Sequence, residues 1–315
     1  MEKTAIFLNP AAGQGKSLQA KEKISGAFLR AGLPHDLFVS TSEDHLCQLV
    51  RRARGKYPYL VAVGGDTTFK IVAGEILAAN SRDRSQRPPV LGMIGTGSAN
   101  DITRSLGIEQ VADLCRAIRQ GLVKDMDVGC LQVDSQPEPV LFLGNLSIGL
   151  GAFVNRYIDA FSRRHRWLRR SPISGQVLPG LMGIYRAFSR HQVPLTARLD
   201  TPGSSQDMTF SLLLVANIPF YANGLSLSPA STPFDGQMEA VIIHTRSFPR
   251  TLRFGWRVLR HRHRETHGFD IIPFPSLQLS FPGKLDIQVD GDIIPGVGNA
   301  HITLLKGVLP VFLNR

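Results

Sequence analysis

The sequence predicts an α/β fold: a parallel sheet covered on both faces by helices over the first third, followed by a β-rich second domain. Three observations carry this reading. Short apolar segments alternate with longer segments of helical composition in the first third, and glycine-rich turns follow the ends of the apolar segments. After Lys124 the pattern changes to strand-like runs separated by Pro, Gly, Ser and Asp. The expected domains are 1–126 and 127–315, with the segment from about residue 300 available to pack back on the first domain.

Taken in order, residues 4–8 read as a buried strand leading into Asn9-Pro10-Ala11-Ala12-Gly13-Gln-Gly15-Lys16. The small residues of that loop permit close backbone approach and Lys16 supplies charge, although the spacing is not that of a P-loop. A helix over 17–30, a strand over 37–39 with Thr41 just beyond it, and a helix over 43–54 follow. The strand 60–63 runs into Gly64-Gly65-Asp66-Thr67-Thr68, where bare backbone N–H groups and the positive end of a helix over 69–79 face the same spot. Residues 79–89 form a polar loop. The strand 90–94 leads into Gly95-Thr-Gly97-Ser98-Ala-Asn100-Asp101, where Asn100 or Asp101 can cap the next helix. In the second domain, strands are expected at 129–133, 140–147, 197–199, 209–217, 238–244, 277–281, 285–289 and 301–305.

With 315 residues and 43% hydrophobic content the chain is expected to be a soluble globular protein. It has no apolar run long enough to span a membrane and no signal-peptide pattern, so a cytoplasmic location is expected. Cys47, Cys115 and Cys130 are widely spaced within apolar segments and read as reduced core residues. A net charge of +11 calls for an anionic partner. The basic residues cluster at Arg163-Arg-His-Arg-Trp-Leu-Arg-Arg170 and from Arg246 to Arg264, where Leu252, Phe254, Trp256 and Leu259 interleave with arginines. Either cluster suits a helix at an anionic membrane surface, or a solvated face. No nucleic-acid-binding signature accompanies the arginines, so no nucleic-acid partner is expected.

Four small, hydroxyl-bearing loops at one sheet edge point to a nucleotide site. In their order and spacing they resemble the diacylglycerol kinase catalytic-domain family, which includes bacterial lipid kinases and sphingosine kinases. The matching residues are Asn9-Pro10 with Gly13 and Gly15, Gly64-Gly65-Asp66 with Thr68, and Gly97-Ser98-Ala99-Asn100-Asp101 with Arg104 and Leu106-Gly107-Ile108. Asp235-Gly236 and Val289-Asp290-Gly291-Asp292 stand where the family has an Asp-Gly metal loop and an Asp-Gly-Glu segment.

The resemblance implies a phosphofructokinase- and NAD-kinase-like three-layer domain facing a β-sandwich-type domain, and an ATP-dependent kinase acting on diacylglycerol or a related long-chain lipid at a membrane. It leaves room for a homodimer and for peripheral association with the inner membrane face. It implies that ATP is lined by Asn9, Pro10, Ala11, Ala12, Gly13, Thr41, Gly64 through Thr68, Lys70, Gly97, Ser98, Asn100 and Asp101. It further implies that Asp290 and Asp292 supply the catalytic carboxylate, and that magnesium is held by Asp235 with the main chains near Thr232 and Gln237. Read from the residues alone, Asp290-Gly-Asp292 is a hairpin turn and the Asp235 loop is a solvated turn. Asp66 and Asp101 are the nearest carboxylates in sequence to the phosphate loops, and of the two Asp66 is the candidate for a catalytic magnesium.

Two departures stand out. Thr67 occupies the family's third glycine, and Lys70-Ile71 replaces an Asn-Glu pair. If that position requires positive φ, threonine costs on the order of 1–3 kcal/mol. The alternative function is therefore a catalytically impaired member that binds lipid or nucleotide; otherwise the loop shifts and Thr67 and Lys70 contact phosphate themselves. NAD kinases share the Gly-Gly-Asp loop, but this chain carries the Gly-Ser-Ala-Asn-Asp segment of the lipid enzymes instead of their later Asn-Glu pair.

Overall fold

The computed structural model describes residues 2–82, 88–97, 100–165, 177–263 and 268–314. The first part runs β1 (Thr4–Leu8), α1 (Lys16–Gln19), α2 (Lys21–Arg30), β2 (His35–Val39), α3 (Glu43–Ala53), β3 (Tyr59–Gly64), α4 (Asp66–Arg82), β4 (Val90–Gly95), α5 (Asp101–Ser105) and α6 (Val111–Gln120). β1 is flanked by β2 and β3 and β3 by β4, all parallel, with Ile6 opposite both Leu37 and Val61. Both sheet faces are covered, which is why β1 is buried at every position and reads as an unbroken apolar run.

Local sequence sets the helix ends. Ser42 caps α3, accepting a bond from the His45 N–H at 3.1 Å, with Glu43 and Asp44 in the first turn and Arg51 and Arg52 in the last. The helix expected over 17–30 is broken at Ala20 into α1 and α2. The one expected over 69–79 starts earlier, at Asp66, and continues to Arg82, shortening the polar loop, whose residues 83–87 lie outside the described ones.

The second part contains β5 (Val123–Val133), β6 (Gln136–Phe142), β7 (Asn145–Gly149), α7 (Leu150–Arg164), α8 (Leu178–Ser189), β8 (Leu195–Thr201), β9 (Ser204–Phe210), β10 (Leu212–Ala216), β11 (Phe220–Tyr221), β12 (Leu225–Ser226), β13 (Met238–Ile243), α9 (Phe248–Leu259), β14 (Phe269–Phe274), β15 (Ser276–Val289) and β16 (Asp292–Phe312). Its strands pair antiparallel. The class is mixed α/β, as expected.

The two parts share one sheet rather than facing each other as separate layers. Its path is β14-β13-β10-β7-β15-β16-β4-β3-β1-β2. The junction is β16, antiparallel to β5 along most of its length and parallel to β4 at Val311 and Leu91. Leu309, Val311 and Phe312 are therefore buried in the same apolar cluster as Leu60 and Leu91, and Phe312 meets Tyr59 edge-on at 5.2 Å. Apolar side chains on the other sheet face of the second part form a further cluster with Phe254 and Val258 of α9 and Ala187 of α8.

Candidate active site

The loops after β1, β3 and β4 interlock. Asn9 donates its side-chain amide to Thr68 Oγ1 at 3.1 Å, and its Oδ1 accepts the Ala11 N–H at 3.1 Å. Pro10, Ala11 and Ala12 form the turn between them, closed by a 3.2 Å bond from the Ala12 N–H to the Asn9 carbonyl. Gly13 has φ +60°, and a Cβ there would lie 2.0 Å from the Thr96 carbonyl oxygen, so only glycine brings the first loop onto the fourth. The Ser17 and Thr96 hydroxyls meet at 2.5 Å, and the Thr96 N–H donates to the Gly64 carbonyl at 2.9 Å. Gly64 is equally constrained, since a Cβ would sit 2.3 Å from Thr68 Oγ1. Gly65 differs: nothing lies within 4 Å of its Cβ direction, which leaves open backbone where α4 begins.

Carboxylates gather beside this rim. Asp66, the first residue of α4, has its pKa pushed up to about 7, chiefly by burial and then by Asp290 and Asp101, with Asp292 adding and Lys70 opposing. Asp292 forms an ion pair with the ammonium of Lys70, which reaches across from α4. Asp290, φ +46°, accepts backbone N–H bonds from Leu143 at 2.8 Å, Gly144 at 3.0 Å and Asn145 at 2.9 Å. Asp101 accepts the Asn223 N–H at 3.2 Å and lies 3.6 Å from Arg104.

An interlocked glycine rim beside buried carboxylates is the geometry the motif order implies, and comparison with known proteins agrees. The model of the diacylglycerol kinase catalytic domain matches residues 3–131. That match covers less than half of the chain. A diacylglycerol kinase of Bacillus subtilis is 22% identical over 94% of this chain and 92% of its own length. A Chromohalobacter salexigens protein named "Probable lipid kinase YegS-like" is 24% identical over 74% of this chain and 69% of its own. The crystal structure of a candidate diacylglycerol kinase from Bacillus anthracis superposes with a TM-score of 0.74, covering 99% of this chain and 95% of that one. At 21% identity, that last likeness is one of fold.

Within the matched residues, Thr67 departs from expectation. It is the second residue of α4 and is not among the residues with positive φ, so the anticipated strain is absent. Thr41 also stands apart. Its hydroxyl turns back to His45 Nδ1 at 2.9 Å, on the loop after the edge strand β2. Asn100 takes the N-cap position of α5 with φ 53° but makes no capping bond; its Oδ1 is buried against Gly95 and Gly97, with no hydrogen-bond partner among the described residues. Ser98 lies outside the described residues.

Asp290 is buried, and its carboxylate accepts three N–H bonds that fix the hairpin to the 143–145 turn. In the loop of Thr232, Asp235 and Gln237 the one carboxylate is Asp235. Asp235 accepts the Gln237 N–H at 3.0 Å, and the buried carboxylate of Asp127 on β5 holds the loop by accepting the N–H groups of Gly236 and Gly307, each at 2.7 Å. Among the described residues no group of three His, Cys, Asp or Glu side chains could hold a metal ion.

Sequence reasoning missed Asp127 and the hydrogen-bonded trio of Tyr221, Ser147 and Gln288. The Tyr221 hydroxyl donates to Ser147 at 3.0 Å and to Gln288 at 3.1 Å, and burial pushes its pKa up to about 12. These residues come from separate strands with no shared motif, so only their convergence in space reveals them.

Proposed function

We propose that the protein is an ATP-dependent lipid kinase that transfers the γ-phosphoryl group of MgATP to a hydroxyl of diacylglycerol or a related long-chain lipid. The observation that carries this reading is Asp66: a carboxyl tuned to about 7, placed where the open backbone of Gly65 meets the start of α4. In this scheme the interlocked rim and the α4 N-terminus hold the phosphates. The lipid oxygen attacks the γ-phosphorus, its proton passes to Asp66, and the bond to the bridging oxygen of ADP breaks. Magnesium bound with the nucleotide would supply neutralisation of the phosphate charge. Lys70 supplies positive charge beside the reacting group, and Asp290 positions Asp292 and the acceptor hairpin. The names of the relatives support a lipid alcohol as acceptor.

An impaired, ligand-binding member is the weaker reading, because its main support was strain at Thr67. The deciding assay mixes purified protein, MgATP and detergent micelles of diacylglycerol, ceramide or sphingosine. A phosphorylated lipid that disappears with Asp66→Asn is expected. ATP binding by calorimetry without product from any lipid alcohol would overturn the reading.

A further inference from the structure

Helix α8 is amphipathic in an unusual sense: Pro179, Gly183 and Ala187 are buried, while Leu178, Leu181, Met182 and Tyr185 form an exposed apolar stripe. Its neighbour α9 buries Phe254 and Val258 and exposes Leu252, Trp256 and Leu259, with Trp256 56% exposed. The two helices meet where the Tyr185 and Phe248 rings pack edge-on at 5.5 Å, so the stripes are neighbours. Exposed apolar surface of this kind on neighbouring helices calls for a partner.

The charges say which one. Neither residues 177–193 nor 246–263 include a single Asp or Glu. Arg186 and Arg190 follow the stripe on α8, and Arg250, Arg253, Arg257 and Arg260 wind around α9, with Arg260 lying 4.4 Å over the Trp256 ring. Apolar side chains and an indole rimmed by arginine alone match acyl chains beneath a layer of lipid phosphates. We propose that α8 and α9 together form a docking surface for an anionic lipid bilayer.

The surface is mechanically joined to the acceptor hairpin through α7. Gly183 packs on Tyr157 of α7, where an added Cβ would lie 3.3 Å from the ring, and Arg186 sits 5.3 Å over the same ring. Two residues earlier on α7, Asn155 donates to the Gly291 carbonyl at 2.7 Å. A bilayer seated on α8 and α9 is thus one helix away from the Asp290-Gly291-Asp292 turn. This inference deepens the kinase reading but does not depend on it, since docking is measured without ATP.

The test is co-sedimentation of the full chain with vesicles of phosphatidylcholine alone or mixed with phosphatidylglycerol, at low and raised salt. Trp256 emission is followed in a Trp167→Phe background. Binding to the mixed vesicles, weakened by salt and accompanied by a blue shift, is expected. Leu181→Glu should abolish it, and Arg250→Glu with Arg253→Glu should lower the partition coefficient roughly 10-fold or more. All are exposed positions, so unchanged thermal unfolding checks that the variants fold. Absence of vesicle binding, or binding indifferent to these substitutions, overturns the proposal. So does a dimer that Leu181→Glu dissociates while wild-type protein ignores vesicles, because the surface would then belong to a second copy. Vesicle binding by a protein that phosphorylates nothing would leave docking standing and the kinase reading refuted.

Discussion

Lys70 on α4 and Asp292 at the start of β16 are 222 positions apart and form an ion pair that ties α4 to the hairpin between β15 and β16. Lys70 is only 14% exposed and Asp292 53%, so the pair is half screened. Lys70→Met and Asp292→Asn, made singly and together, should show a stability coupling of about 1 kcal/mol in a denaturant double-mutant cycle. Lys70→Met should also lower kcat about 10- to 100-fold through lost charge stabilisation, whereas a purely structural pair would leave kcat within a few-fold.

Asp66 makes activity and stability respond to pH in opposite directions. Its folded pKa of about 7 lies above the ordinary 3.8, so between those values the folded state binds more protons than the unfolded one, and stability falls as pH rises. Asp66→Asn should remove this slope and stabilise the protein at pH 8 by on the order of 3 kcal/mol. The same substitution should cut kcat/KM by about 100-fold or more, and the wild-type value should rise through pH 7 as the carboxylate forms. Unfolding titrations and initial rates across that range check both halves.

Asp290 is expected to behave as a fastener. Asp290→Gly relieves its positive φ yet leaves the N–H groups of Leu143, Gly144 and Asn145 without their acceptor, for a net loss of about 2–4 kcal/mol in chemical denaturation. If Asp290 were instead the proton acceptor, activity would vanish with little loss of stability.

The glycines of the rim divide by what surrounds them. Gly13→Ala, with positive φ and 2.0 Å to the Thr96 carbonyl, should destabilise the protein measurably. Gly65→Ala has open space, so its melting temperature should hold while ATP affinity, read by calorimetry, drops about 10-fold or more.

Thr67→Gly, which would restore the family residue, should not increase activity. Thr67 already lies in ordinary helical backbone, so glycine there should cost about 0.5–1 kcal/mol of stability.

What the sequence made legible was local. β1, β3 and β4 announced themselves because a sheet covered on both faces needs uninterrupted apolar runs, and the loops after them carried small residues where backbones must approach. Thr67 was misjudged because its backbone depends on where α4 begins, and sequence signals fix helix starts only to within a few residues. Asp290 looked reactive for a related reason. Its motif gives the residue type, but its three N–H partners come from a turn near residue 144 that no spacing rule connects to it.

The seam at Val311 and Leu91 bears on how the chain is made. Residues 3–131 match a catalytic-domain model, but the cluster they bury is finished by Leu309, Val311 and Phe312. On the ribosome the first part therefore waits, with β4 uncovered on one side, until about two hundred residues later β16 is synthesised. A shortened chain ending near residue 131 should be insoluble, because the core beneath the glycine rim is a product of the longer polypeptide rather than of the segment that supplies its motifs.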